Sequence, residues 1–501
     1  MTKKLEQLKE QLARVSDLYH AAGVLAWDQE VNMPEEGIGP RSNQLATLSS
    51  MAHEIFTSDE TGLLLEDAEV EVSDLDYDSD DASLVRVTRR EFDKETKIPT
   101  ALVVRESKAT SQAFVAWRKA RETDDFSHFQ PHLQEIVEIQ IEKANHYGYK
   151  HHPYDALLDI YEPDMTTTKV AALFGDLKAG LIPLVQEIAA KPEVDDSFLE
   201  ERSYDEKKLW DFTMVLLRGL GYDFSRGRQD RAAHPFTTQF GNSDVRVTTR
   251  FSENHPQSAF FSSVHEGGHA LYELGSPDKF ERTPLAGGGT LGLHESQSRL
   301  WENQVARSLP FWRYYYPILR AFFPDQLGDI SMAQFHRAIN KVQPTLIRVE
   351  ADEVTYNMHI FVRFELEQAL VTEELKISDI PEAWNAKYED YLGITPPNDA
   401  LGCLQDVHWS HGMIGYFPTY TLGNLISAQL YDQASVELGN LDEMYSQGEF
   451  APLLDWLRAR IHSHGSKFTA PELLEREFGQ EISAQPLLDY LRRKYTDLYD
   501  L

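Results

Sequence analysis

The sequence predicts a mainly α-helical protein, and the spacing of its apolar residues carries that prediction. Apolar residues recur three and four positions apart, which is the pattern of helices that bury one face. The windows with this pattern are residues 100–122, 126–147, 168–190, 205–220, 331–376 and 480–498. Neither a fixed-period repeat nor a Ser/Gly- or Pro-rich linker divides the chain. We therefore expect a single domain over residues 1–501.

Charge and cysteine content exclude several classes of protein. The chain has 48 Lys and Arg residues against 81 Asp and Glu residues, a formal net charge of −33. This argues against nucleic acid and anionic membrane as partners, because both bind clustered Lys and Arg. The single cysteine, Cys403, can form neither an intrachain disulfide nor a Cys-ligated structural zinc site. The N-terminal residues have helical spacing rather than a signal peptide, and no apolar run reaches membrane-span length. We expect a soluble, cytoplasmic protein.

Two segments depart from the helical pattern. Residues 66–81 contain nine carboxylates and no positive charge, and we expect a solvated connection between helices there. Residues 234–251 alternate like strands around the turn Gly241-Asn242-Ser243, which predicts a β-hairpin. Two interpretations of the hairpin stay open. It pairs with an extended peptide through main-chain hydrogen bonds, or it only caps a helical core.

Residues 262–274, SSVHEGGHALYEL, contain the pattern of a metal site. His265 and His269 are four residues apart, so on a helix they project from one face and both imidazoles can reach one ion. Glu266 lies beside the first histidine and points to where a metal-bound water would sit. We therefore expect His265 and His269 to bind a metal ion.

The neighbours of these residues argue against the competing interpretation, two surface histidines on an ordinary helix. Val264, Ala270 and Leu271 are apolar, as a buried helix requires. Gly267 and Gly268 each cost roughly 1 kcal/mol in a helix interior. Glycines at these positions indicate that another backbone or a substrate passes close by.

A third ligand is expected from the helix that follows. A catalytic zinc ion has three protein ligands and one open position for water. Residues 290–303, TLGLHESQSRLWEN, offer Glu295, which comes 26 residues after His269. A glutamate on a helix is ordinarily a surface residue, but Leu300 and Trp301 indicate a buried face. We therefore expect Glu295 to be the third metal ligand.

Glu302 falls seven residues after Glu295, on the same helical face. Such a carboxylate can accept a hydrogen bond from a ligand imidazole and orient its ring. A plain solvated glutamate is the alternative, and the sequence leaves both open.

These residues belong to motifs that resemble one known family. HEGGH at 265–269 followed by HESQSRLWEN at 294–303 resembles the carboxypeptidase Taq family of HExxH metallocarboxypeptidases. The other motifs of the resemblance are DVRVT at 244–248, IRVEAD at 347–352, GCLQDVHW at 402–409, AWDQEVNMP at 26–34 and YDALLDIYEPDMT at 154–166. They span nearly the whole chain, with no departure at a ligand or base position.

The resemblance implies a large helical metallopeptidase with a deep active-site groove, similar to neurolysin and angiotensin-converting enzyme, and a hairpin or short sheet near the metal. Two helical lobes would frame the groove, with residues 1–85 as a helical wall. The implied activity is metal-dependent release of single residues from peptide C-termini, with broad specificity. Peptides with free C-termini and a second copy in a homodimer are the implied partners. One divalent ion per chain is expected, zinc by default, although cobalt fits the same donors.

In the expected mechanism the ion lowers the pKa of its bound water towards about 7 and polarises the scissile carbonyl. Glu266 takes the proton from that water and passes it to the leaving amine. The oxyanion that forms is expected to have a further donor. The candidates are Tyr416 and Tyr420 in GYFPTYTLG and His408 in QDVHW, with ordinary aromatic packing as the alternative for each.

An enzyme that acts at C-termini must also recognise a carboxylate. Arginine does this best, because its planar fork pairs with both oxygens. Arg348 in IRVEAD and Arg246 in DVRVT are the candidates. For either, a structural salt bridge to a nearby Glu350, Asp352 or Asp244 is the alternative.

Two other functions compete with a metallocarboxypeptidase. An endo- or dipeptidyl-acting oligopeptidase could use the same scaffold if the groove were open at both ends. A peptide-binding protein that has lost activity is disfavoured, because Glu266 and the three expected ligands are intact.

Overall fold

The computed structural model describes residues 3–501, and its secondary structure is mainly helical, as the spacing predicts. The helices are α1 (Lys4–Val31), α2 (Ile38–Phe56), α3 (Asp59–Val72), α4 (Asp80–Lys97), α5 (Thr100–Thr123), α6 (Phe126–Tyr147), α7 (Pro153–Leu158), α8 (Thr167–Ala189), α9 (Ser197–Glu200), α10 (Glu206–Leu220), α11 (Pro256–Leu274), α12 (Leu291–Arg299), α13 (Leu309–Phe322), α14 (Pro324–Leu327), α15 (Met332–Ala338), α16 (Tyr356–Val371), α17 (Ile380–Leu392), α18 (Pro418–Leu438), α19 (Leu441–Ser446), α20 (Ala451–Arg460), α21 (Ala470–Phe478) and α22 (Gln485–Tyr499). A π-helical segment, Leu300–Ala306, continues α12. Within residues 3–501, no helix has the length and apolar character needed to cross a membrane.

The described residues form two compact units. One comprises residues 3–95, 194–339 and 430–480, and the other comprises residues 96–193, 340–429 and 481–501. Each unit is assembled from segments far apart in the chain, so neither is a contiguous domain. The expected arrangement of lobes about a groove stays a prediction.

The predicted β-hairpin is confirmed. Strand β2 (Thr237–Gln239) pairs antiparallel with β3 (Val245–Thr249), and the turn between them contains Gly241 at a φ of +137°, a conformation that favours glycine. A third strand, β1 (Gln229–Arg231), pairs parallel with β3, so the sheet order is β1-β3-β2. The edge strand β2 is therefore paired on one side only.

Helix α11 is the central element of the first unit. Pro256 stands in its first turn, where a missing backbone N–H removes no helical hydrogen bond, and Gly275 follows its last residue. Its side chains are buried on most sides, as expected of a helix that crosses a core. It packs against α10, α12, β3 and the π-helical segment, and these neighbours fix its position.

The expectation of continuous helix across residues 331–376 was wrong. Helix α15 ends at Ala338, and α16 begins only at Tyr356. Asp352 accepts the backbone N–H groups of Val354 and Thr355 between them. Side chains that bond the nearby backbone in this way compete with helix formation, and apolar spacing alone does not register that competition.

The expectation of a solvated connection over residues 66–81 was wrong in its first half. Helix α3 continues to Val72, so only the residues between α3 and α4 connect helices. Ser58 caps the N-terminus of α3, and Leu65 and Ala68 are buried on its inner face. The carboxylates occupy the outer face of a helix, where they remain solvated without breaking it.

The inner face of α3 packs into an apolar cluster with α1 and α4. Its members are Leu5, Leu8, Leu12, Leu64, Leu65, Ala68, Val72, Leu84, Val85, Phe280 and Leu285. Residues from the segment 280–285 close the cluster. The N-terminal helices are thereby anchored to the part of the chain that follows α11.

We predict that Leu65→Ala destabilises the protein by about 2–5 kcal/mol, because it leaves a cavity in this cluster. Leu65 is fully buried, whereas its neighbour Leu63 on the same helix is 62% exposed. Leu63→Ala is the matched control and should change the free energy of unfolding by less than about 0.5 kcal/mol. Denaturant unfolding measures both, and equal losses would contradict the assigned faces of α3.

Candidate metal centre

Three potential ligand atoms meet at one point beside α11. Oε2 of Glu295 lies 3.6 Å from Nε2 of His265 and 3.6 Å from Nε2 of His269. The three ligand atoms all lie within 4.8 Å of one another. Glu295 comes from α12, the helix that follows the HExxH helix. The structure therefore brings together the three residues that the sequence singled out.

The donor set fits a small divalent cation. Tetrahedral coordination with bonds of about 2.0–2.1 Å places ligand atoms roughly 3.3 Å apart, close to the observed separations. Burial lowers the pKa of His269 to about 3, so its imidazole is neutral, the form that binds metal. Burial would also lower the pKa of His265, but the carboxylates of Glu295 and Glu302 outweigh it and raise the pKa. Positive charge is thus stabilised at this point.

Glu266 is buried next to the ligands and is held by the hairpin. Oγ1 of Thr237, in β2, donates to Oε2 of Glu266 at 2.7 Å and also lies 2.9 Å from the Glu266 carbonyl oxygen. Burial raises the pKa of Glu266. A raised pKa brings a carboxylate closer to the range in which it can both accept and return a proton near neutral pH.

A carboxylate orients the first histidine. Nδ1 of His265 lies 2.9 Å from Oε2 of Glu302, so the geometry favours the orienting interpretation of Glu302. Glu302 also accepts from Arg299 and Arg307, each at 3.3 Å. Burial would raise the pKa of Glu302, but Arg299 and His265 outweigh it and lower the pKa to about 2. Glu302 is therefore an anion that directs Nε2 of His265 towards Glu295.

A second imidazole orients the other histidine. Nδ1 of His269 lies 2.6 Å from Nδ1 of His294, and Nε2 of His294 lies 2.5 Å from Oε1 of Glu273. If Nε2–H of His294 donates to Glu273, its Nδ1 can accept the Nδ1–H of His269. This assignment leaves Nε2 of His269 unprotonated and facing Glu295.

The two glycines of HEGGH have different neighbours. A Cβ on Gly268 would lie 2.7 Å from the carbonyl oxygen of Gln297 and 2.7 Å from Cα of Ser298. A Cβ on Gly267 would lie 2.7 Å from Cδ2 of Leu217, the end of a flexible side chain. At Gly268, therefore, the close neighbour is the backbone of α12, one of the two possibilities that the sequence raised.

The candidate oxyanion donors lie together in the other compact unit. Nε2 of His408 lies 3.3 Å from Oη of Tyr420. The rings of Tyr416 and Tyr420 have centroids 5.4 Å apart. Burial lowers the pKa of His408 to about 4, so its imidazole is neutral near pH 7. The three side chains form one cluster, and their catalytic role stays a prediction.

Arg348 is buried in the same unit and is already paired. Its Nε and Nη2 donate to Oδ1 of Asp406 at 3.1 and 2.9 Å. Arg363 donates through Nε to Oδ2 of the same carboxylate at 2.6 Å. The partner is therefore Asp406 in the GCLQDVHW motif, rather than a carboxylate of IRVEAD. One carboxylate shared by two guanidinium groups leaves an excess of positive charge.

Arg246, the other candidate for carboxylate binding, forms a closed pair. Its Nε and Nη2 donate to the two oxygens of Asp244 at 2.8 and 2.7 Å. Its guanidinium carbon lies 4.3 Å from the ring centroid of Trp27 and 4.9 Å from that of Phe240. A substrate carboxylate would have to displace Asp244 to bind the Nε–Nη2 edge of this guanidinium.

Sequence reasoning missed several residues of these clusters, among them Glu273, Thr237 and Asp406. Glu273 comes four residues after His269, so the helical period could have placed it on the ligand face of α11. Thr237 and Asp406 lie within motifs that the sequence singled out, but only tertiary contacts identify their partners. Motif membership was the available signal for both.

Two imidazoles, a carboxylate and an adjacent buried glutamate, on a helical scaffold, are the arrangement of a metallopeptidase. The family described as carboxypeptidase Taq (M32) metallopeptidase has a model that matches residues 7–495. The chain belongs to this family, as its motifs predict.

Relatives named as carboxypeptidases match the chain over nearly its full length. Thermostable carboxypeptidase 1 of Thermus thermophilus is 45% identical over 488 residues, which cover 95% of this chain and 94% of the relative. Carboxypeptidase 1 of Bacillus subtilis is 39% identical, with 97% of each chain covered. The crystal structure of the M32 carboxypeptidase from Deinococcus radiodurans is similar with a TM-score of 0.96 at 39% identity, covering 99% of this chain and 100% of that one. The protein is thus a metal-dependent carboxypeptidase, a hydrolase of peptide bonds.

We predict that Gly268→Ala lowers both stability and metal affinity, because the new Cβ must push α12, and with it Glu295, away from α11. Overpacking of this kind costs about 1–3 kcal/mol. Gly267→Ala is the matched control: Leu217 can rotate away, and alanine favours a helix interior over glycine by roughly 0.5–1 kcal/mol. Thermal unfolding and metal titration of the two variants test this prediction. Equal losses in both variants would show that the close approach of α11 to α12 determines neither stability nor metal affinity.

Proposed function

We propose that this carboxypeptidase releases single residues from peptide C-termini with broad specificity, using a metal ion held by His265, His269 and Glu295. The observation that carries the proposal is the convergence of their ligand atoms beside the buried Glu266. The geometry around each ligand supports it, since Glu302 and His294 direct both imidazoles towards one point. Zinc is the ion proposed, because two nitrogens and one carboxylate oxygen suit it, and cobalt fits the same donors.

Glu266 is proposed as the general base. A bound divalent ion supplies the Lewis acidity that acidifies a water molecule and polarises the scissile carbonyl. Glu266 accepts the proton of that water and returns it to the leaving amine. The hydroxyl of Thr237 holds one carboxylate oxygen of Glu266, which leaves the other oxygen to handle the proton. The raised pKa of Glu266 makes its carboxylate a stronger base and so favours acceptance of the proton.

The hairpin supports peptide binding next to this base. Strand β2 is an edge strand, so its unpaired side can add an extended peptide as a further strand. Its Thr237 touches Glu266, which means that a peptide on this edge would lie close to the base. Of the two interpretations of the hairpin, we therefore propose substrate pairing.

Stabilisation of the oxyanion is assigned to the cluster of His408, Tyr416 and Tyr420. Tyrosine hydroxyls and a neutral imidazole can each donate to developing negative charge. The contact between His408 and Tyr420 supports a joint role, because each orients the other.

Arg348 is proposed to bind the terminal carboxylate of the substrate. The cluster of Arg348, Arg363 and Asp406 carries more positive than negative charge, whereas Arg246 and Asp244 neutralise each other. The excess positive charge of the first cluster attracts an anion. We also propose that the protein is a cytoplasmic homodimer and that its substrates are peptides with free C-termini. The family resemblance supports the dimer, and the single buried cysteine suits a reducing compartment.

We predict that Glu266→Gln keeps the metal but lowers turnover by about 10²–10⁴-fold, because an amide cannot accept the proton. Glu295→Ala should lose metal and turnover together. The exposed Glu253, before α11, provides the control Glu253→Gln, which should behave as wild type. Metal analysis and mass spectrometry of a free-acid peptide digest measure both properties.

The digest also separates the competing functions. Ladders that shorten by one residue from the C-terminus are expected from the wild type. Internal fragments would instead indicate an oligopeptidase. Full activity of Glu266→Gln would remove Glu266 as the base, and a stoichiometric metal in Glu295→Ala would remove Glu295 from the ligand set.

We predict that Arg348→Ala lowers kcat/KM for free-acid peptides by about ten- to a few hundred-fold, the range of a charge-assisted pair. Amidating the substrate C-terminus should cause most of that loss in the wild type. The two changes together should cost little more than either alone, because they remove one interaction. Full additivity would contradict the assignment, and Arg246→Ala would then be tested in the same cycle.

A further inference from the structure

The two oxygens of Glu295 have different environments. Oε2 faces both ligand imidazoles at 3.6 Å. Oε1 points the other way and accepts a hydrogen bond from Nε of Arg299 at 2.6 Å. Arg299 lies one helical turn after Glu295, at the last position of α12. The glutamate is thus divided between a metal-facing oxygen and an arginine-bound oxygen.

The same guanidinium reaches a second carboxylate of the centre. Nη1 of Arg299 lies 3.3 Å from Oε2 of Glu302, the atom that orients His265. The Arg299 side chain is only 16% exposed, so these contacts are poorly screened by water. A planar guanidinium holds two acceptors in a fixed relative geometry.

We propose that Arg299 is a positioning residue that makes Glu295 a one-oxygen ligand. By holding Oε1, Arg299 prevents this oxygen from turning towards the ion and filling a coordination position. The inference rests on the ligand set of the proposed function.

The restraint on Oε1 matters because a carboxylate can bind a metal ion in two ways. A glutamate can bind a cation through one oxygen or through both, and only the first leaves a zinc centre with three protein donors and an open position. Ser298 also donates to the Glu295 side chain, but its hydroxyl reaches Oε2, at 3.2 Å, and not the oxygen that Arg299 holds. Arg299 is therefore the residue that restrains Oε1.

The charge of Arg299 predicts that its removal has a different effect on metal binding from a general loss of structure. The positive charge of Arg299 weakens the attraction of Glu295 for a cation. Without it, Glu295 and Glu302 attract the ion more strongly, and Glu295 can offer both oxygens. Removal should therefore leave metal affinity intact or increased while the reaction slows. An arginine that served only as a structural ion pair would, when removed, weaken metal binding along with stability.

The test compares Arg299→Met with the matched control Arg307→Met. Arg307 pairs with Glu302 through Nη2, while its Nη1 donates to the carbonyl oxygen of Ile339. Both variants lose one positive charge beside Glu302, so a difference between them reports on Glu295. Arg299→Lys keeps the positive charge but lacks the planar guanidinium. It replaces Arg299→Met in the test if the methionine variant does not fold.

Each protein is loaded with Co²⁺ or Zn²⁺, and the metal Kd is measured by competition with a chelator. X-ray absorption counts the oxygen neighbours of the ion, and the visible absorption of bound Co²⁺ weakens as the coordination number rises. Steady-state kinetics on a free-acid peptide then separates kcat from KM. Metal stoichiometry in wild type and Glu295→Ala tests the ligand set separately.

For Arg299→Met we expect unchanged or tighter metal binding, an additional oxygen neighbour and a kcat lower by about 10–100-fold with KM little changed. Arg299→Lys should show the same direction with a smaller change, and Arg307→Met should keep the wild-type coordination. The inference is overturned if Arg299→Met, or Arg299→Lys in its place, keeps the wild-type coordination, or if it binds the metal more weakly than the wild type does.

Discussion

The close approach of α11 to α12 is the constraint on which the rest of the centre depends. Gly268 allows the two backbones to meet at a distance that no side chain permits, with Gln297 and Ser298 on the opposite helix. Only at that separation does Glu295 reach both imidazoles of α11. Close packing transmits small displacements, so the helix contact and the ligand geometry cannot vary independently. A helix-breaking residue type is thus retained inside a buried helix for a geometric reason.

Burial of so many charges is the second consequence of this packing. Four carboxylates, those of Glu266, Glu273, Glu295 and Glu302, are buried around the ligand point, and the guanidinium groups of Arg299 and Arg307 compensate two of them. When all are ionised, two negative charges remain, which match the charge of a divalent cation. Uncompensated buried charge is costly, so the protein alone is incomplete at this point. A bound divalent cation would therefore compensate the buried negative charge of the folded protein as well as take part in the reaction.

The sequence predicts the local parts of this protein well and the tertiary parts poorly. HEGGH, the predicted third ligand Glu295 and the hairpin over 234–251 follow from periods of 3.6 and 2 and from motif spacing, which are local properties. The break before Tyr356 and the continuation of α3 through an acidic segment depend on side-chain hydrogen bonds and on one buried face, which composition hides. The pairing of Arg348 with Asp406 joins residues 58 apart in the chain, and apolar spacing does not distinguish the π-helical segment Leu300–Ala306 from an α-helix.

The local balance of charged side chains, rather than the net charge of the chain, determines which ions each buried cluster attracts. The chain carries −33 overall, yet Asp406 is shared by Arg348 and Arg363, which leaves positive charge where an anionic substrate group is proposed to bind. Around Glu295 the excess is negative and favours a cation. Because short-range pairs in a buried setting are hardly screened, each excess acts over a few ångströms while the surface charge is damped by salt. Arginine therefore has two opposite proposed roles in one chain: Arg348 is proposed to supply an unneutralised charge for binding, and Arg299 is proposed to hold a ligand oxygen away from the ion.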